Sequence, residues 1–138
     1  MNYEFTWTVE KRIIYARIFE EITLDDVTQI VKRLNQMIRE GDQPVHILCD
    51  LRETKRFPMN LRDVVGAVDK SDQPHNSGWS IIISSNSLIR FLGSVAVQLS
   101  GARAHVCTDI ETAFRYIAAR DGSFTLENLL EVHRTHAG

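Results

Sequence analysis

Tyr3, Phe5, Trp7 and Val9 alternate with Glu4, Thr6, Thr8 and Glu10, the period-two pattern of a half-buried strand. Lys11-Arg12 interrupts it, and the run Ile13 to Phe19 predicts a second strand and hence a β-hairpin, with no Asn-Gly or Asp-Gly to set its turn. The period then lengthens to that of a helix. Thr23 is placed to cap it and Asp26 follows three residues on. Val27, Ile30, Val31, Leu34 and Ile38 share one face, opposite Lys32, Arg33, Gln36 and Arg39. Gly41 offers a left-handed stop, and Pro44 forbids continuation.

Val45 to Leu51 reads as a central strand, and Arg52 to Asn60 as the loop that leaves its C-terminal end. A helix then starts at Asn60, with Leu61, Val64, Val65 and Val68 on one face and Gly66 as a point of close packing. Trp79 to Ser84 is a second buried strand, and Ala104 to Cys107 a short last one. Between them a helix spans Leu88 to Ser100, capped from Ser85-Asn86-Ser87 and closed by Gly101. Asp109 caps a helix with Ile110, Ala113, Phe114 and Ile117 inward, and Thr125 caps a final one carrying Leu126, Leu129 and Leu130, which should fray from His133. Alternating strands and helices predict an α/β domain with a mixed, mostly parallel sheet, an N-terminal antiparallel hairpin and four to five helices. One domain spans 1–138, its core about 3–121, with a C-terminal helix and tail over 122–138.

Composition narrows the function classes. A net charge of -2 lacks the cationic excess of a broad nucleic-acid face. No apolar run approaches the ~18 residues of a membrane span. The opening Met1 to Phe5 has no signal-peptide pattern, and Cys49 and Cys107 fall inside predicted strands, so a reducing, cytoplasmic setting is expected. His46 and His105 lack a cysteine or acid at ligand spacing, and His133 and His136 lack a third ligand, so no metal is expected. No Gly-x-Ser-x-Gly, Walker loop or Gly-x-Gly-x-x-Gly run occurs, and no cofactor is expected.

Three stretches carry candidate chemistry. Asp50, Arg52, Lys55 and Arg56 precede the helix start at Asn60, where amides and guanidinium groups can hold an anion or a partner's acid. Glu53 and Asp63 oppose this, and a solvated loop accounts for the same charges. Phe57 and Met59 beside them suit a partner surface or the core. Ser84, Ser85, Asn86 and Ser87 end the next strand and can add to that site, though capping needs only one of them. In the third helix Leu88, Leu92, Val95, Ala96 and Leu99 make one face and leave Ile89, Phe91 and Val97 over. Such a helix wants a second cover, from another subunit, the C-terminal segment or an apolar ligand. The expected cover is a second subunit, and hence a homodimer.

The element order, the strand Val45–Leu51 and the strand-loop-helix unit running to Val68 resemble a STAS domain, the family shared by anti-sigma-factor antagonists and the cytoplasmic tails of sulfate transporters. The resemblance covers about residues 3–121 and is one of pattern. Members that are phosphorylated carry an Asp-Ser-Ser-Gly type run where this chain has Phe57-Pro58-Met59-Asn60-Leu61-Arg62, so the serine switch carries over to no residue here. The resemblance implies a non-catalytic regulatory or protein-interaction module in a bacterial cytosol. The alternative is a carrier or sensor of a small apolar or anionic ligand held between the second and third helices.

Overall fold

The computed structural model describes residues 1–68 and 70–137. Among these residues the elements run β1 (Tyr3–Val9), β2 (Ile13–Glu21), α1 (Leu24–Glu40), β3 (Val45–Arg56), α2 (Leu61–Ala67), a 3-10 turn (Lys70–Asp72), β4 (Ser77–Ile83), α3 (Ser87–Leu99), β5 (Arg103–Cys107), α4 (Ile110–Arg120) and α5 (Leu126–Ala137). Sheet order is sequence order; β1 is antiparallel to β2 and every later pairing is parallel. This is the mixed, mostly parallel α/β sheet that the hydrophobic pattern predicts.

Crossovers of one hand that advance in one direction place their helices on one face. Ile14, Ala16, Ile18, Ile47, Cys49, Leu51 and Ile82 therefore meet Ile30, Leu34, Val64, Ile89 and Ala96 of α1, α2 and α3. After the last strand, α4 turns under the opposite face. There Ile13, Leu48, Ile81 and Ile83 pack on Ala113, Phe114, Ile117 and Leu129. Each fully buried Ile or Leu contributes about 1.5–3 kcal/mol, so the sheet is held from both sides.

The helix starts follow the sequence. Thr23 Oγ1 accepts from the Asp26 amide at 3.1 Å while Asp26 Oδ2 accepts from the Thr23 amide at 2.9 Å. Asn60, Asn86 and Asp109 cap α2, α3 and α4.

Five local expectations need correction. Gly41 ends α1 in extended backbone at φ -93°, and its lack of a side chain serves proximity, because a Cβ there would lie 2.6 Å from Val45 Cγ2 and 2.8 Å from Lys11 O. Gly66 meets nothing within 4 Å and marks no close packing. On α2, Val64 and Val68 are buried, whereas Leu61 and Val65 face solvent. The inward face of α3 is Ile89, Leu92, Gly93 and Ala96, with Leu88 outside. Gly93 sets that rotation: a Cβ would stand 2.7 Å from Leu51 Cδ1, so the helix backbone lies close on the sheet. Finally, α5 holds helical form to Ala137, and His133 packs edge-on against Tyr15 and Phe114 instead of fraying. The side chain of His136, and Gly138, lie outside the described residues.

Candidate functional site

The central strand is longer than its apolar run. β3 continues through Arg52, Glu53, Thr54, Lys55 and Arg56 because β2 also continues, pairing Phe19 with Glu53, Glu20 with Thr54 and Glu21 with Arg56 across two bulges. Thr54 Oγ1 donates to Ile18 O at 2.8 Å and fixes this extension. Arg52, Lys55 and Arg56 thus stand on a strand, and the loop shrinks to Phe57–Asn60.

Asp50 lies inside this strand, buried between Arg17 of β2 and Ile83 of β4. Both its oxygens are used. Oδ1 accepts from Arg52 Nε at 2.9 Å and from the Arg52 amide at 3.1 Å; Oδ2 accepts from Arg52 Nη2 at 2.7 Å and from the Tyr15 hydroxyl. Burial works against the carboxylate's charge, but the Arg52 fork and the Tyr15 hydroxyl outweigh it and hold the pKa below its usual range. Burial, then the same hydrogen bond, pushes the Tyr15 hydroxyl far up. A carboxylate with two donors on each oxygen has no lone pair left for a ligand.

Two of the three basic residues are likewise engaged, and Arg56 is exposed. Arg52 is locked on Asp50, and Lys55 Nζ lies 3.1 Å from Glu20 Oε2. The amide end of the short α2 is closed by Asn60, whose Oδ1 accepts from the Asp63 amide at 3.3 Å. At the end of β4, Ser84 is buried; its Oγ accepts from the Asn86 amide at 3.1 Å, and Arg90 Nη1 donates to its carbonyl at 2.9 Å. Asn86 Oδ1 takes the Ile89 amide at 3.1 Å, while Ser85 and Ser87 are exposed. Register brings the two stretches side by side, since Asp50 pairs with Ile83.

Several large apolar side chains are exposed at this end among the polar ones. Phe57 tucks against the α1–α3 core, but Met59 is 68% exposed, and Leu61, Val65, Leu88 and Phe91 stand out from α2 and α3, which touch each other. Of the three residues expected at a subunit contact, Phe91 is exposed, Val97 packs against the core and Ile89 is buried within it. The C-terminal helix gives α3 no cover, because α5 packs on α4 and β1 across the sheet.

A small apolar cavity of about 70 Å³ lies between α1 and α3, bounded by Leu34, Ile47, Ile82, Ala96 and Val97. An engineered cavity of about 150 Å³ takes up benzene, so a lipid would have to part the two helices.

One further polar cluster escapes sequence reasoning. His46 is buried on β3, accepts the Trp79 amide at Nδ1 at 3.0 Å, and meets Asp121 Oδ2 through Nε2 at 2.8 Å. Arg12 Nη2 donates to the same Asp121 oxygen at 2.7 Å. An amide can only donate, so Nδ1 carries no proton and Nε2–H donates to the carboxylate. Burial lowers the His46 pKa against the pull of Asp121. Asp121, despite its burial, is held down to about 2, chiefly by His46. Both ring nitrogens are occupied, and the imidazole acts as a strut between β3, β4 and the end of α4. Cys49 and Cys107 are unpaired and sit on opposite faces of the sheet. Among the described residues, no three His, Cys, Asp or Glu side chains are placed to hold a metal ion, and no helix is long and apolar enough to cross a membrane.

No family model and no curated protein matches the sequence. Among solved structures, an uncharacterised protein of the DUF3478 family from Shewanella loihica PV-4, described as having a SpoIIAA-like fold, is similar at a TM-score of 0.54 and 14% identity, covering 83% of this chain and 90% of that one. The chain has a SpoIIAA-like, and so STAS-like, fold.

Proposed function

We propose that this protein is a non-catalytic regulatory module that works by binding another protein. The observation that carries the reading is the exposed apolar ridge of Met59, Leu61, Val65, Leu88 and Phe91 on α2, α3 and their leading segments. Contiguous exposed apolar surface rimmed by polar groups marks contact sites. The rim here is cationic: Arg56 and Arg62 are exposed and Arg90 is half-exposed, with Asp63 the acid among them. A partner that presents apolar side chains ringed by carboxylates fits both features. A second copy fits less well, since a two-fold pairing brings the same cations to both sides. The state of Asp50 and His46 supports a non-catalytic role, because the hydrogen-bonding positions of both are filled.

The alternative, an apolar carrier, draws on the cavity between α1 and α3, which holds too little for a lipid as it stands.

The test is site-specific photocrosslinking in the native host, with the reactive group at Phe91 or, as a control, at Asp25 on α1. A discrete protein adduct from Phe91 alone, lost when Met59 and Val65 are both changed to Glu, is expected. Equal labelling from both positions, or an adduct at twice the chain mass, would overturn the proposed partner. Native mass spectrometry of the purified chain then reads the carrier alternative as an added small-molecule mass.

A further inference from the structure

The opposite end of the sheet, where β3, β4 and β5 begin, holds a polar cleft of about 340 Å³. Arg12, Pro44, His46, Trp79, Arg103 and Arg120 line it, with Asp121, Gly122 and Ser123 at the exit of α4. Binding clefts for small molecules start near 300 Å³.

Charge decides what such a cleft accepts. Arg12 is neutralised by Asp121, and His46 is neutral with both nitrogens used. Arg103 and Arg120 have no carboxylate partner among the described residues. Arg103 Cζ lies 4.9 Å from the centre of the Trp79 ring and Arg120 Cζ 3.5 Å from that of Tyr116. The side-chain charge of the lining is therefore close to +2. The C-terminal end of α4 opposes it with about half a negative charge. Arg120 already answers part of this by donating to Tyr116 O at 3.4 Å.

The walls are built rather than loose. The His46–Asp121–Arg12 chain fixes the floor, and Gly78 makes it possible, since a Cβ there would stand 2.5 Å from His46 Nδ1. Stacking on Trp79 and Tyr116 holds the two guanidinium groups at one mouth.

We propose that this cleft binds a small phosphate monoester. Its dianion matches the two unpaired guanidinium groups, which can each offer a forked pair of donors. The volume beyond a bare phosphate, beside the Trp79 ring and Pro44, accommodates the organic body.

The experiment is isothermal titration calorimetry of the full chain with adenosine 5′-monophosphate, glucose 6-phosphate and inorganic phosphate, at constant ionic strength. At least one monoester is expected to bind with a Kd below about 1 mM, more tightly than inorganic phosphate. The double variant Arg103→Gln/Arg120→Gln, folded by circular dichroism, should lose at least about tenfold in affinity, as two charge-assisted contacts require. Absence of binding by both monoesters overturns the proposal, as does binding that the double variant retains. Equal affinity for inorganic phosphate and for both monoesters overturns the assignment of an organic body.

Discussion

His46 and Asp121 stand 75 positions apart in the chain and meet at 2.8 Å through Nε2 and Oδ2. The bond ties the first turn of the central strand to the exit of α4. It also makes the fold acid-sensitive in a defined direction. Burial depresses the His46 pKa, so below about pH 6.5 the unfolded chain takes up a proton that the folded one resists. Asp121 is depressed to about 2, so its contribution is complete above the ordinary carboxylate pKa of about 4 and is lost as pH falls through 2. Stability should therefore fall with acid in both windows. Asp121→Asn should cost about 1–3 kcal/mol at pH 7, and its deficit against the parent should shrink below about pH 4, as read from urea midpoints.

Two glycines make opposite predictions. Gly66→Ala, inside α2 with open space around it, should raise stability by up to about 1 kcal/mol. Gly78→Ala should lower it by about 1–3 kcal/mol, because the new methyl collides with the His46 ring and with Val45 O at 3.0 Å. Chemical denaturation of the two variants checks both signs.

Tyr15 should titrate unlike a free phenol. Burial and the bond to Asp50 raise its pKa, so an alkaline ultraviolet titration should show a Tyr15 step that is delayed until the chain unfolds. Tyr15→Phe should remove that delayed step at a cost of about 1 kcal/mol. Arg52→Ala should cost more, because it strips both guanidinium donors and the paired cation from the buried Asp50, leaving it the Arg52 amide and the Tyr15 hydroxyl.

The cysteines should be inert. Burial pushes the Cys49 thiol up to about 12 and raises that of Cys107, so a thiol reagent should label neither at pH 8 without denaturant. Prompt labelling of the native protein would contradict the packing around β3 and β5.

Element order, helix caps and most core positions are legible in the sequence because they rest on local periods and on short-range capping by Thr23, Asn60, Asn86 and Asp109. The overrun of β3 is not, since Arg52, Glu53, Lys55 and Arg56 carry the polar signature of a loop, and only pairing with an equally long β2 extends the strand. The face of α3 was hidden for a different reason. Gly93 counts for nothing in a hydrophobic pattern, yet it is the point of closest approach to the sheet. In the candidate site, Asp50 and Met59 were visible from the sequence. The partners Tyr15, Arg12 and Asp121 were not, because tertiary pairs separated by tens of residues leave no periodic trace. Histidine in a strand with a distant acid was the sole hint, and spacing gives it no weight.

The length of β3 has a consequence for stoichiometry. From His46 to Arg56 the strand spans roughly 30 Å at about 3.3 Å per residue, with the cationic cleft at its start and the apolar ridge just past its end. That separation exceeds the reach of any side chain, so no residue of one end contacts the other. The two proposed sites therefore cannot share one small ligand, and β3 is the spacer between them.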